Sequence, residues 1–342
     1  MYNVYGLGPA GSTFITSLRK GVYAHDLMWE KHGRLRSCCA GGMGFWAIEE
    51  IKKSLDFHTW TTIHNVICTA LQTVVERIEY VGVHTRVEVS AEDLGVPYLG
   101  VVVDRARFDE ELAKLASKYV EYKSHIANFK TVVATGFSGM PKIPRRDVEV
   151  TYQQWIEAKD LQEHITLSIV KDYSESGYFC VFPEVKNGVL KVGVGESLEV
   201  LEKRGVSIRQ VLEKFKKMLK VDGRVVRECG ALLPLSKWRK EYMYRDGKVY
   251  IGTAGGFVNP LTGAGIKHAI MSAYAYATGN ERIVRSLARE INRSYVLKKL
   301  VVGLPQERLD RAIKLLSNNI WMLNLSNIAS LKNLILAIIA ML

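Results

Sequence analysis

No Cys-x-x-Cys pair, no His-Glu-x-x-His helix and no Gly-x-Ser-x-Gly elbow occurs in this chain. Their absence argues against a zinc site, a zinc hydrolase and an α/β-hydrolase nucleophile, so no metal is expected. The segment "GFSG", Gly136 to Gly139, has the wrong spacing for such an elbow. The five cysteines (Cys38, Cys39, Cys68, Cys180 and Cys229) are odd in number and lack ligand spacing, which fits a reduced, cytosolic setting. The N-terminus has no signal-peptide pattern, because a glycine turn begins almost at once. The last ten residues, "NLILAIIAML", are nearly all apolar but fall short of the roughly 20 that span a bilayer. They read as either a buried terminal helix or an interfacial one. There is no internal repeat and no low-complexity linker.

What the chain does have is a sizeable apolar fraction, positive charge and two glycine clusters. Its 342 residues are 48% hydrophobic and 24% charged. That is a globular composition, long enough for two domains or one large domain with insertions. The net charge of +12 points to an acidic partner (a phosphorylated ligand, an anionic membrane or nucleic acid) or to solubility alone. Nucleic acid is disfavoured, since no aromatic interleaving or recognised module accompanies the charge. Arg282, Arg285, Arg289 and Arg293 recur at helical spacing, followed by Lys298 and Lys299. This stripe is either a solvated helix face or, with the apolar tail, a peripheral contact for an anionic membrane.

Periodicity predicts a strand at Tyr2 to Tyr5 and a helix from Ser12 to Lys20 that Gly21 ends. Residues 62–104 read mainly as strands, and Phe108 to Val120 as an amphipathic helix. "KTVVATG" is a buried strand ending at Gly136. Residues 147–196 alternate like a second, antiparallel sheet. A helix from Ser207 to Lys220 opens on a Ser207–Gln210 capping box. "KVYIGTAGG" runs from strand into loop, and after Gly265 the chain is helical apart from a break at Gly303 to Pro305. Nucleotide-type strands thus lie at the N-terminus, near 133 and near 250, with β-rich material between. The fold class expected is α/β: a Rossmann-like domain interrupted by a β-rich domain, with a helical C-terminus. The nucleotide domain takes residues 1–61, 105–146 and 236–280. The β-rich substrate domain takes 62–104 and 147–235, and the C-terminal helices 281–342.

Two glycine stretches carry the chemistry. In Gly6-Leu7-Gly8-Pro9-Ala10-Gly11, a dinucleotide pyrophosphate would meet backbone N–H groups at a helix N-terminus. Gly6 makes the turn, Gly8 lets the phosphate approach and Gly11 lets the helix pack on the strand. An acid about 20 residues on grips the adenosine ribose; Glu30 has that spacing, with Asp26 as the fallback. "GTAGGFVNPLTGAG", Gly252 to Gly265, likewise runs from a strand into an apolar helix at Ile266. It is either a second cofactor loop or an ordinary turn. His268, just inside that helix, reads as packing.

The motifs "GLGPAGS", "VDRARFDEELA", "VVATGFSG", "GYFCVFP", "GALLPL" and "VYIGTAGGFVNPLTGAGI" fall in the order seen in the geranylgeranyl reductase family. Over residues 1 to about 275 the chain resembles these FAD proteins of the para-hydroxybenzoate hydroxylase-like fold. The resemblance implies FAD bound by both glycine loops, including Thr253, Gly263, Gly265 and Ile266. Arg105 would reach the FAD, and Ala134, Thr135 and Gly136 would flank its adenosine side. One of Cys38 and Cys39, with Cys39 ahead, would line the flavin site. Tyr178, Cys180 and Phe182 would line a prenyl cavity, with Phe179 a further candidate, although alternation along the strand means Tyr178, Phe179 and Phe182 cannot all face it. The implied activity is reduction of isoprenoid carbon–carbon double bonds in a geranylgeranyl lipid. Hydride would pass from reduced flavin N5 to one alkene carbon, with protonation of the other. The electron donor would be NAD(P)H or a ferredoxin, and the location cytoplasmic, peripheral on the membrane's cytoplasmic face. A flavin monooxygenase of the same fold, or a lipid-binding relative that has lost FAD, are the rivals. The chain departs from the family pattern at Thr253 and Thr135, where acids are usual, and at Ala264, Cys180 and Glu175, where Glu, Trp and Pro are usual. Asp would accept ribityl hydrogen bonds more strongly than Thr253.

Overall fold

The computed structural model describes residues 1–32, 37–121, 128–158 and 161–318. The apolar run at 333–342 lies outside them. The chain begins β1 (Tyr2–Tyr5), α1 (Pro9–Leu18), β2 (Val22–His25), α2 (Leu27–His32), β3 (Gly42–Gly44), α3 (Phe45–Ser54) and α4 (Phe57–Ala70). There follow β4 (Leu71–Val75), β5 (Arg77–Val81), β6 (Arg86–Ser90), β7 (Gly100–Val103), α5 (Arg105–Ser117), β8 (Val120–Glu121) and β9 (Lys130–Val133). Next are β10 (Val148–Glu157), β11 (Ile165–Ser168), β12 (Phe179–Glu184), β13 (Val189–Ser197), α6 (Leu198–Arg204), α7 (Ile208–Leu219) and β14 (Arg224–Pro234). Last come α8 (Lys240–Met243), β15 (Tyr244–Arg245), β16 (Lys248–Tyr250), α9 (Ile266–Thr278), α10 (Glu281–Gly303) and α11 (Gln306–Asn318).

The strands form three sheets. The first has the order β15-β16-β9-β1-β2-β8 and is parallel except at the β15–β16 edge. α1 crosses from β1 to its parallel neighbour β2, and packs with α5 and α9 over a core of Val4, Phe14, Ile15, Val132 and Ile251. In such open parallel α/β sheets, ligands bind at the carboxyl ends of the strands. The second sheet, β14-β10-β13-β12-β11-β5-β6, is antiparallel except between β5 and β11. One of its faces buries Phe179, Val181 and Val192 against Leu212 and Phe215 of α7. The third, β3-β7-β4, is small and antiparallel. The expected α/β class with a β-rich part and helical C-terminal region is what the structure shows.

Several boundaries differ from expectation. The first helix starts at Pro9 and ends at Leu18, and Arg19, not Gly21, takes the left-handed conformation (φ 51°). Residues 62–70 are helix, not strand: Asp56 caps α4 by accepting from Thr59 N, and Ile63, Val66, Ile67 and Ala70 bury one face. Tertiary burial at helical spacing overrides the β-branched composition there. Asp104 caps α5 through Ala106 N and Arg107 N, so that helix begins at Arg105 instead of Phe108. A further break, at Gly279 and Asn280, separates α9 from α10. The Ser207–Gln210 capping box of α7 is present as read.

Candidate functional site

Gly6 follows β1 at φ +94°, a conformation that glycine adopts freely, and its amide bonds to His25 O. A Cβ at Gly11 would stand 1.9 Å from Gly6 O, so only glycine lets α1 start this close to the turn. At Gly8 a Cβ would meet nothing within 4 Å, because that position faces open space. Gly8 is the N-cap of α1 and gives it no side-chain cap, so the first N–H groups of the helix face that space. Just past the end of β2 stands Asp26, whose carboxylate accepts from Leu7 N at 2.8 Å and Trp29 N at 3.0 Å. Glu30 lies one turn further on, and its carboxylate accepts from Asp26 N. Both acids line the same space, with Asp26 in the strand-end position.

The second loop arrives beside the first. Gly252 (φ +58°) packs on Ala10: a Cβ there would lie 2.8 Å from that of Ala10. Asn259 shapes the turn beyond it. Its side-chain oxygen accepts from Leu261 N and Thr262 N, its amide donates to Ser294 of α10, and its carbonyl accepts from Gly263 N. The loop then delivers Gly265, the N-cap of α9, again without a side-chain cap. Two uncapped helix N-termini therefore open on one cavity of about 920 Å³. That is at the upper end of the roughly 300–1,000 Å³ usual for small-molecule and cofactor sites. Uncapped donors, a Gly8 cradle and strand-end acids suit a dinucleotide such as FAD.

The cavity is lined by Gly6, Gly8, Pro9, Ala10, Glu30, Arg105, Ala134, Thr135, Gly136, Thr253, Gly263, Gly265 and Ile266. Gly11 lies behind it as a packing position. Tyr178, Cys180 and Phe182 line the opposite wall, while Phe179 stacks on Phe215 on the far side of the sheet. Tyr178 donates its hydroxyl to Thr262 O, which joins the wall to the second glycine loop. Burial, then neighbouring Cys39, push the Cys180 thiol up to about 12. His268 does not line the cavity; its Nε2 is 3.2 Å from Glu290 Oε1. Among the described residues there is no cluster suited to a metal.

Two readings need correction, those of Cys38 and Lys298. Cys38 is bonded to Cys229, 191 residues away, so it carries no free thiol and the cysteines are not all reduced. Cys39 is free and lines the cavity, its sulfur accepting from Gly41 N. Arg105 faces the cavity but holds a bidentate ion pair with buried Asp109, at 2.9 and 3.0 Å. Burial disfavours that guanidinium's charge, but Asp109 more than compensates. Lys298 is not part of the exposed stripe: it is buried and points at Glu149, while Arg282, Arg285, Arg289, Arg293 and Lys299 are exposed.

The Cys38–Gly42 segment is fastened from behind. Beside the disulfide, Arg227 donates to Ser37 O at 2.9 Å. Lys191, almost fully buried and paired with Glu184, donates to Ala40 O at 3.1 Å and Val103 O at 3.3 Å. A Cβ at Gly42 would strike the Phe182 ring at 2.4 Å. The sequence reading missed Asp109, Glu149, Thr151 and Gln153, which also line the cavity. The i+4 spacing from Arg105 to Asp109, and the alternation Glu149, Thr151, Gln153, were the available signals.

No family model matches this sequence. Over 188 residues, 52% of this chain, it is 30% identical to the digeranylgeranylglycerophospholipid reductase of Sulfolobus acidocaldarius, and the match spans 40% of that protein. A solved geranylgeranyl bacteriochlorophyll reductase-like protein of Thermoplasma acidophilum superposes with TM-score 0.76. That match covers 98% of this chain and 95% of the other, at 20% identity. A flavin-dependent brominase gives TM-score 0.60 at 12% identity, over 99% of this chain and 92% of its own. These structural likenesses establish the fold alone. The protein has the fold of FAD-dependent oxidoreductases of the reductase and halogenase type. Within that class it is homologous, at low identity, to digeranylgeranylglycerophospholipid reductases.

Proposed function

We propose that this protein is an FAD-dependent reductase of isoprenoid carbon–carbon double bonds, acting on the geranylgeranyl chains of membrane lipids or their precursors. The observation that carries the reading is the shared cavity. Two uncapped helix N-termini and the Tyr178–Cys180–Phe182 wall open into the same space. The first supports a dinucleotide phosphate; the second supports an apolar chain beside it. FAD bound there would supply the two-electron chemistry of alkene reduction. The protein's own groups would do the rest. Gly8 and the α1 amides would hold the pyrophosphate, Asp26 or Glu30 the ribose, and Thr253, Gly263 and Gly265 the remainder of the cofactor. Tyr178 and Phe182 would exclude water from the prenyl chain, and the braced 38–42 segment would keep Cys39 at the cofactor's edge. In this reading residues 1–61, 105–146 and 236–280 carry the cofactor, and 62–104 and 147–235 carry the lipid.

Among the described residues no helix is long and apolar enough to cross a membrane. The exposed Arg282, Arg285, Arg289 and Arg293 support peripheral contact with an anionic, cytoplasmic lipid surface. The test of function begins with the visible spectrum of the purified protein. A flavin spectrum is expected; a colourless protein that takes up no added FAD would point to a non-catalytic lipid binder. Anaerobic reduction followed by a geranylgeranyl lipid should reoxidise the flavin. Reoxidation by oxygen alone, coupled to an aromatic substrate, would point to a monooxygenase. Mixing the oxidised protein with NADPH or with reduced ferredoxin then identifies the donor.

A further inference from the structure

Glu149 stands on β10 with its side chain 6% exposed, yet it lines the cavity. Its nearest counter-charge, Lys298 Nζ of α10, is 3.8 Å from Oε2, beyond hydrogen-bond reach. Its other carboxyl oxygen lies over Gly195 of β13, where a Cβ would be only 2.0 Å away. The glycine makes the room that the carboxyl occupies. The remaining groups that face it are Glu196 of β13, Tyr178 and Cys180. Glu196 is engaged with the amides of Glu175, Ser176 and Ser197. Tyr178 spends its proton on Thr262 O, and burial holds its hydroxyl, like the Cys180 thiol, far too weakly acidic to give up a proton near neutrality. Glu149 differs. Burial pushes its carboxyl up to about 7, with Lys298 pulling it down and Glu196 adding to the rise. A carboxylic acid that is still protonated near neutrality, at an apolar cavity wall, is suited to general-acid work.

We propose that Glu149 is the proton donor of the alkene reduction, resting on the reductase reading above. FAD bound in the cavity would supply the hydride for one alkene carbon, and the Glu149 carboxyl would give its proton to the other. The carbon–carbon π bond would break and two C–H bonds would form, the two electrons coming from the reduced cofactor. The carboxylate left behind faces Lys298, which stabilises it until solvent returns a proton.

The full-length protein carrying FAD is reduced anaerobically and mixed with a geranylgeranyl lipid, as wild type and as E149Q. Glutamine keeps the shape and loses the acid. Reoxidation should slow by about 100-fold or more in E149Q, while the flavin spectrum and its reduction are unchanged. G195A should slow reoxidation too, because the new methyl displaces a flexible carboxyl without removing it. Independently of turnover, an infrared pH titration of the flavin-free protein should show a protonated-carboxyl band lost near pH 7 in wild type and absent from E149Q. If wild type is not reoxidised by the lipid, the reductase reading fails. If wild type reacts and E149Q keeps pace within about threefold, or if the infrared band survives in E149Q, the assignment of Glu149 is overturned.

Discussion

The cavity has two sides of contrasting construction. On the first, the loops before α1 and α9 offer backbone N–H groups and remove side chains, through Gly6, Gly8, Gly11, Gly252 and Gly263. On the second, the seven-stranded sheet offers side chains from neighbouring strands, including Glu149 of β10, Cys180 and Phe182 of β12, and Tyr178 just before it. Backbone donors at a helix end are aimed by the helix itself, so the first side tolerates few changes of shape but many of chemistry. The second side depends on side-chain chemistry and on what braces the sheet against the 38–42 segment. The difference explains why the departures from the family pattern at Thr253, Thr135 and Ala264 leave the glycine geometry of the cradle intact.

Substitutions can break that contrast at chosen points. The largest effect is expected at Gly11: G11V drives a side chain into Gly6 O and should cost on the order of 3 kcal/mol or more of stability, read by denaturant unfolding. G8A is its control. A methyl there meets no protein atom, so unfolding should shift by less than about 0.5 kcal/mol while FAD titration shows weaker binding. A smaller loss is expected on the other side. C229S, which removes the bridge to Cys38, should cost about 2–4 kcal/mol and loosen the wall while FAD is still taken up.

Glu149 gives that wall a pH dependence. Its folded carboxyl is raised to about 7 from an ordinary 4.5, so the neutral form is the one that folding favours. Stability from this group is complete below about pH 4.5 and is lost as pH rises through 7. The loss should reach on the order of 3 kcal/mol in wild type relative to E149Q, measured by unfolding across that window. The smallest effect belongs to the cradle. T253D restores a charged acceptor and should tighten flavin binding several-fold, about 1 kcal/mol, by equilibrium titration.

The cradle was legible because its signals are local. "GLGPAGS" and "GFVNPLTGAG" each put turn, glycine and helix start within a few residues, and the strand leading into each is visible. The strands between residues 147 and 196 were legible by alternation and α7 by its capping box, whereas β14 was not read as a strand. The α4 helix was misread because its Thr, Ile and Val residues suit a strand, and only its packing against the core shows the helical period. The Cys38–Cys229 bridge and the Glu149–Lys298 and Lys191–Ala40 contacts had no local signal at all. Lys298 in particular looked like one more member of a basic face.

Local sequence was enough for the α/β class and for the positions where backbone must approach closely. Those features follow from residue-scale sterics and periodicity, which neighbouring residues encode. Which charges go inside, which of the adjacent cysteines stays free and which carboxyl meets the cavity became visible in the folded chain alone. Those outcomes depend on distances between residues that the chain separates by 140 positions or more and the sheet brings together, where burial and a single neighbouring charge set a group's chemistry.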